Sequence, residues 1–178
     1  MIRAPMARPL EDTLDVGQLA AQRAAFERDF SVANFERLRD SLARPEGRAS
    51  VSLHFHVAGD FAAAEGNVTA AAWLVCQRCL GEYEARFESP VRIAFVDDEA
   101  DAATVPEGYE AVTVAAGRLR LAELVEDELL LALPLVPMHA TPAECDVKRE
   151  AVAEVAAPSV EKAPVHRPFA SLHELLKR

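Results

Sequence analysis

The chain has no apolar run approaching the roughly 20 residues that a membrane-spanning helix needs. Its first ten residues hold two prolines and no apolar stretch of the length a secretion signal uses. These absences set the expectation of a cytoplasmic protein with no membrane partner. Cysteine is scarce: there are three, an odd number, which in a reducing compartment argues against a disulfide framework. A glycine-rich phosphate loop, a G-x-S-x-G turn and an H-E-x-x-H helix are all missing. Nothing therefore specifies catalysis, and the expectation is a protein that is not an enzyme. Basic charge is short in the middle of the chain. Residues 51–100 hold 3 Lys/Arg against 8 Asp/Glu and residues 101–150 hold 4 against 10, so the central hundred carry −11 of a total of −10. Residues 1–50 are balanced at 8 and 8. An acidic surface repels a phosphate backbone and steers basic partners toward it. Bare nucleic-acid binding by the centre is disfavoured, and the arginine-bearing N-terminal stretch is the segment best suited to touch RNA.

What is present suits one domain with a tail. At 178 residues and 51% hydrophobic composition the chain can bury a core. Leu19, Phe26, Phe30, Leu38 and Leu42 stand at mostly helical separations, predicting one helix over 18–43 or two meeting near 31–34. From Ala49 the period becomes two. Val51, Leu53, Phe55 and Val57 alternate with Ser50, Ser52, His54 and His56, and Gly59-Asp60 marks a turn. Residues 65–75, the stretch Tyr83, Ala85, Phe87, then Val91, Ile93, Phe95, and residues 109–114 supply further strands. Residues 119–133 read as a helix stopped by Pro134. The predicted class is α+β: an antiparallel meandering sheet packed with an N-terminal helix and a helix following the sheet. The domain is expected to cover 1–147, with a flexible linker over 148–166 and a short apolar segment over 167–178. In that last segment Phe169, Leu172, Leu175 and Leu176 make a face too short to hold a helix alone.

Two of the three cysteines form the knuckle Cys76-Gln77-Arg78-Cys79, between two apolar strands. Such a pair can be a redox dithiol, half of a metal site, or two small buried hydrophobes. His139 and Cys145 could complete a four-ligand zinc site; the plain alternative is three buried thiols and a loop histidine. A thioredoxin-like role fits less well, because the pair does not open a helix in a βαβ unit. In the helix over 119–133, Leu121, Leu124, Val125, Leu129, Leu131 and Ala132 share one face with Glu128 near its centre. Glu123, Glu126 and Asp127 point the other way, and Leu130 sits among those acids, where it could contact another protein. A carboxylate on a core-facing stripe needs a partner. Arg78 is a candidate for that role; the alternative is a solvated helix edge from which Glu128 reaches water. His54 and His56 share a strand face and read as polar surface. The acidic stretch 97–101 is the only loose carboxylate cluster a nuclease could use, and its plain reading is a solvated loop.

The stretch 74–80 around the knuckle, the run Glu123-Leu124-Val125-Glu126-Asp127-Glu128-Leu129-Leu130-Leu131-Ala132-Leu133-Pro134-Leu135-Val136-Pro137, and then His139 and Cys145, closely resemble the YceD family, the large ribosomal RNA subunit accumulation proteins. Members tend to end in a motif like Arg167-Pro168-Phe169-Ala170-Ser171-Leu172, usually with Asn where this chain has Arg167. They often carry a C-x-x-C and a later cysteine, and some have a further cysteine where this chain has His139. The resemblance implies a bacterial cytosolic factor needed for synthesis, processing or stability of large-subunit ribosomal RNA, with no established enzymatic activity. Combined with the acidic centre, it leads to the expectation of a basic ribosomal protein or assembly factor as partner. Direct contact with ribosomal RNA is disfavoured by charge. The competing classes are a structural zinc-binding interaction module, a thiol oxidoreductase and a nuclease.

Overall fold

Alternation of period two governs residues 47–96. It builds three long strands, which we label in chain order after three shorter ones. The computed structural model describes Ile2–Arg3 and residues 13–146. Strand β1 is Ile2–Arg3, β2 Thr13–Asp15, β3 Ala25–Ser31, β4 Gly47–Ala58, β5 Phe61–Val75, β6 Glu82–Val96, β7 Glu110–Thr113 and β8 Arg118–Arg120. The helices are α1 Val16–Ala21, α2 Glu36–Arg39, α3 Leu121–Ala132 and α4 Ala143–Asp146. Six strands form one sheet in the order β1-β3-β4-β5-β6-β7, and β2 pairs with β8 in a second, two-stranded sheet. The four central strands are antiparallel neighbours, while the short edge strands β1 and β7 run parallel to β3 and β6. The class is α+β as the sequence predicts, with a sheet that is mostly antiparallel.

The register places all odd residues of β4 from Ala49 to Phe55 on one face, where they are buried. Even residues of β5 (Ala64, Val68, Ala70, Ala72, Leu74) and odd residues at the end of β6 (Val91, Ile93, Phe95) join them. Among the described residues this face carries the helices: α1 lies on β4 and β5, α3 lies on β5 and β6, and α2 lies on α3. Ser50, Ser52, Asn67, Thr69, Arg86 and Glu88 occupy the opposite, open face. There His56 Nε2 lies 2.9 Å from the Tyr109 hydroxyl, which donates to Glu65 at 2.6 Å. That hydrogen bond, reinforced by Arg92, holds the Glu65 carboxyl below its ordinary range.

The predicted helix over 18–43 is corrected. It divides into α1, strand β3, a 3-10 turn over Val32–Asn34 and the single-turn α2. Phe26 and Phe30 are four residues apart, a separation that satisfies one side of a helix and one face of a strand equally well. Pairing with β4 decides: Phe26 faces Leu53 and Phe30 faces Ala49 across the ladder. The turn that breaks the helix has Arg23 at φ 50°, and the Ala24 carbonyl accepts the Phe55 N–H at 2.9 Å. The expected linker over 148–166 and the terminal segment with Phe169 lie outside the described residues. No described helix is long and apolar enough to cross a membrane.

Candidate metal centre

The knuckle forms the tip of the β5–β6 hairpin. The Cys76 N–H donates to the Gly81 carbonyl at 2.9 Å and the Leu80 N–H to the Cys76 carbonyl at 2.8 Å, which closes the loop around the cysteine pair. Leu80 takes the left-handed conformation (φ 59°) to make that closure. A second segment arrives from α3. Leu133 leaves the helix in an extended conformation and Pro134 blocks its continuation. The Pro137 carbonyl then accepts the Gln77 N–H at 2.8 Å, docking the segment on the knuckle. This places His139 against the Tyr83 ring, with centroids 4.9 Å apart. The Cys145 N–H on α4 bonds to the Pro142 carbonyl, and its thiol is buried beside Cys76.

The result is a compact set in which the ligand atoms of Cys76, Cys79, His139 and Cys145 all lie within 4.8 Å of one another. Cys76 Sγ and Cys145 Sγ are 3.9 Å apart, and His139 Nδ1 is 3.4 Å from Cys145 Sγ and 3.6 Å from Cys79 Sγ. Tetrahedral bonds of about 2.3 Å to sulfur and about 2.0 Å to nitrogen give edges of about 3.8 and about 3.5 Å. The three cysteines and one histidine could therefore hold a metal ion with little rearrangement. Burial pushes the Cys76 thiol up. Against it act the backbone N–H groups of His139, Cys79 and Arg78 and the His139 ring, which together bring it down to about 5. Cys145 goes the other way, to about 11, through burial and its closeness to Cys79 and Cys76. A cation at this spot would offset the charge of the thiolates that hold it.

The other residues singled out from the sequence are placed as follows. Arg78 does not reach Glu128; its guanidinium lies 3.8 Å from Cys145 Sγ and 3.7 Å from Met138 Sδ. Glu128 is buried, as its place on the apolar stripe predicts, and accepts the Ser89 hydroxyl at 2.6 Å. Glu126 is the main difference. It is buried, not solvated, and accepts the backbone N–H groups of Arg37 (2.7 Å) and Leu38 (3.1 Å) and the Arg37 guanidinium. It thus caps the N-terminus of α2, whose own N-cap residue Phe35 offers no side-chain acceptor. Asp127 meets Arg37 Nη1 at 2.7 Å, and Glu123 pairs with Arg120. Both acids are exposed. Leu130 is half-buried against the core, while Leu131, expected on the apolar face, is 77% exposed. Asp98 accepts the Ala100 N–H at the start of a 3-10 turn over Glu99–Thr104, so the acidic stretch is a capped surface turn.

A family model described as large ribosomal RNA subunit accumulation protein YceD matches residues 64–176. A curated relative of that name from Haemophilus influenzae is 33% identical over 169 residues, spanning 93% of this chain and 95% of the relative. No solved structure matches.

Proposed function

The chain belongs to the YceD family, and from that premise we propose that it supports accumulation of large-subunit ribosomal RNA by holding a basic protein partner, without acting on the RNA itself. The observation that carries this reading is the net −11 over residues 51–150, the part of the chain that supplies β4, β5, β6 and α3. A field of that sign raises the encounter rate with cationic partners and opposes phosphate. The test is filter binding of the full chain to purified large-subunit ribosomal RNA at physiological salt. Weak retention is expected; tight, salt-sensitive retention would sink the reading, because it would mean that several phosphates are neutralised directly.

The cysteine centre serves this function as a structural zinc site. Three thiolates and one imidazole fill a tetrahedral shell and leave no position open for a substrate. Cys76 is fully buried, which denies its thiolate the access to a disulfide that thiol exchange requires. When bound, the ion would fix the segment carrying His139 and Cys145 to the hairpin tip. Metal analysis of untagged protein should find close to one zinc per chain. Cys76→Ser should lose the metal and lower the melting temperature while the sheet's circular dichroism persists. Untagged protein with no bound metal would remove zinc from the account and leave the partner reading standing.

A further inference from the structure

Helix α3 ends at Ala132, short of the knuckle, and leaves part of the core face of β6 half-covered. Tyr83, Ala85 and Phe87 there are partly exposed, whereas Val91, Ile93 and Phe95 further along the same face are buried. Across from them stand Val136 and Met138, 56% and 44% exposed. Together with Ala132 these residues form the apolar part of a groove of about 600 Å³ that Arg78, Glu84, Arg86 and Glu144 also line. The outer edge of β6 beside it has no strand partner among the described residues, because β7 pairs only with Ile93–Val96. Leu131 and Leu135, on the segment that bounds the groove, are also strongly exposed. Partly exposed apolar side chains of this kind, beside a free strand edge, suit a site of contact.

We propose that this groove seats the chain's own C-terminal segment, with Phe169, Leu172 and Leu176 set into it in cis. The described chain runs out at the groove itself: Glu144 lines it, and Asp146 is the last described residue. The 22 residues between Asp146 and Phe169 can span up to roughly 75 Å, so the tether puts every part of the groove within reach. A tethered segment acts at an effective concentration on the order of millimolar, enough to populate a contact too weak to form between separate molecules. Phe169, Leu172 and Leu176 follow spacings of three and four, which align on one side of a helix. A segment so short needs an apolar surface to hold that form. A volume within the range of about 300–1,000 Å³ that encloses small ligands has room for such side chains. The proposal is independent of which partner the acidic surface takes.

The full chain contains only three methionines, Met1, Met6 and Met138, so carbon-13 labelling of methionine methyls gives a direct probe of the groove. Met138→Leu assigns the resonance. In the full chain Met138 should be displaced from the position of an exposed methionine and show cross-peaks to a phenylalanine ring that vanish in Phe169→Leu, which leaves Phe87 in the groove untouched. Phe169→Leu and, separately, Leu172→Glu should return it toward the exposed position. Both substitutions lie outside the described residues. A Met138 resonance identical in the full chain and in both variants would overturn the proposal. So would a displacement that fades on tenfold dilution, which would assign the groove to a second copy of the chain.

Discussion

Gly66→Ala should lower the melting temperature by on the order of 10 °C, the value expected when about 3 kcal/mol is lost from a domain of this size. Gly66 faces Leu53 across the β4–β5 ladder, and a Cβ placed on it would lie 1.9 Å from the Ser52 carbonyl oxygen and 3.0 Å from the Leu53 Cα. Both neighbours are backbone, so no rotamer change relieves the contact. The strands must separate where the fully buried Leu53 anchors the core. Overfilled sites ordinarily cost about 1–3 kcal/mol, and a site walled by main chain belongs at the upper end. Gly117→Ala is the control: its added Cβ meets nothing within 4 Å, and only its φ of 66° opposes the change, at a cost of about 1 kcal/mol. Calorimetry on the two variants separates crowding from backbone preference. Equal melting temperatures would refute crowding.

Removing the Glu126 carboxylate has the second large effect. Glu126→Ala strands the N–H groups of Arg37 and Leu38 at the start of α2 and releases the Arg37 guanidinium. Leu38 is fully buried and the Glu126 side chain is only 11% exposed, so water cannot freely replace the lost acceptor. Loss of a helix cap costs about 1 kcal/mol and an unsatisfied buried donor about 1–3 kcal/mol. A total near 3 kcal/mol follows. Arg37 is 54% exposed, so its share of the ion pair adds little. Glu126→Gln keeps one acceptor oxygen and should lose about half as much. Asp127→Asn, which disturbs only the exposed half of the same arginine's contacts, should stay within about 0.5 kcal/mol. Urea midpoints at constant slope measure all three. A Glu126→Ala midpoint close to that of Asp127→Asn would show that the cap contributes nothing.

These two sites differ in how far the sequence reveals them. Glycine within an alternating strand already suggests close backbone approach, so Gly66 leaves a trace in the sequence. Glu126 leaves none. A helical wheel sorts residues by one buried direction, but α3 is covered on two sides, by the sheet and by α2, so the acid on its second side has its partners about 90 positions away. Glu128 stood out as an acid interrupting the apolar stripe, but the sequence left a solvated helix edge open, and burial overturns that alternative. Its partner was not legible, because a serine on β6 carries no signal that a guanidinium such as Arg78 would appear to offer. The strands β4 to β6 were legible through strict alternation, whereas β3 hid behind two phenylalanines spaced four apart. The four cysteine and histidine positions were legible as types and spacings. Their convergence depends on the Pro134 stop and the Gln77–Pro137 hydrogen bond, which no spacing rule contains.

The hairpin that carries the knuckle also imposes a timetable. Strands β5 and β6 pair from Ala63↔Ala94 to Val75↔Glu82 across a loop of only six residues, contacts local enough to form early. His139 follows Cys79 by 60 positions. At synthesis rates of about 5–20 residues per second, the second pair of side chains emerges about 3–12 s after the first. During that interval the two thiols wait at the tip of a formed hairpin, and they can be closed over only once α3 has taken its place on β5 and β6. The four side chains can therefore meet only after α3 is in place, so their meeting reports that the helix layer is in position.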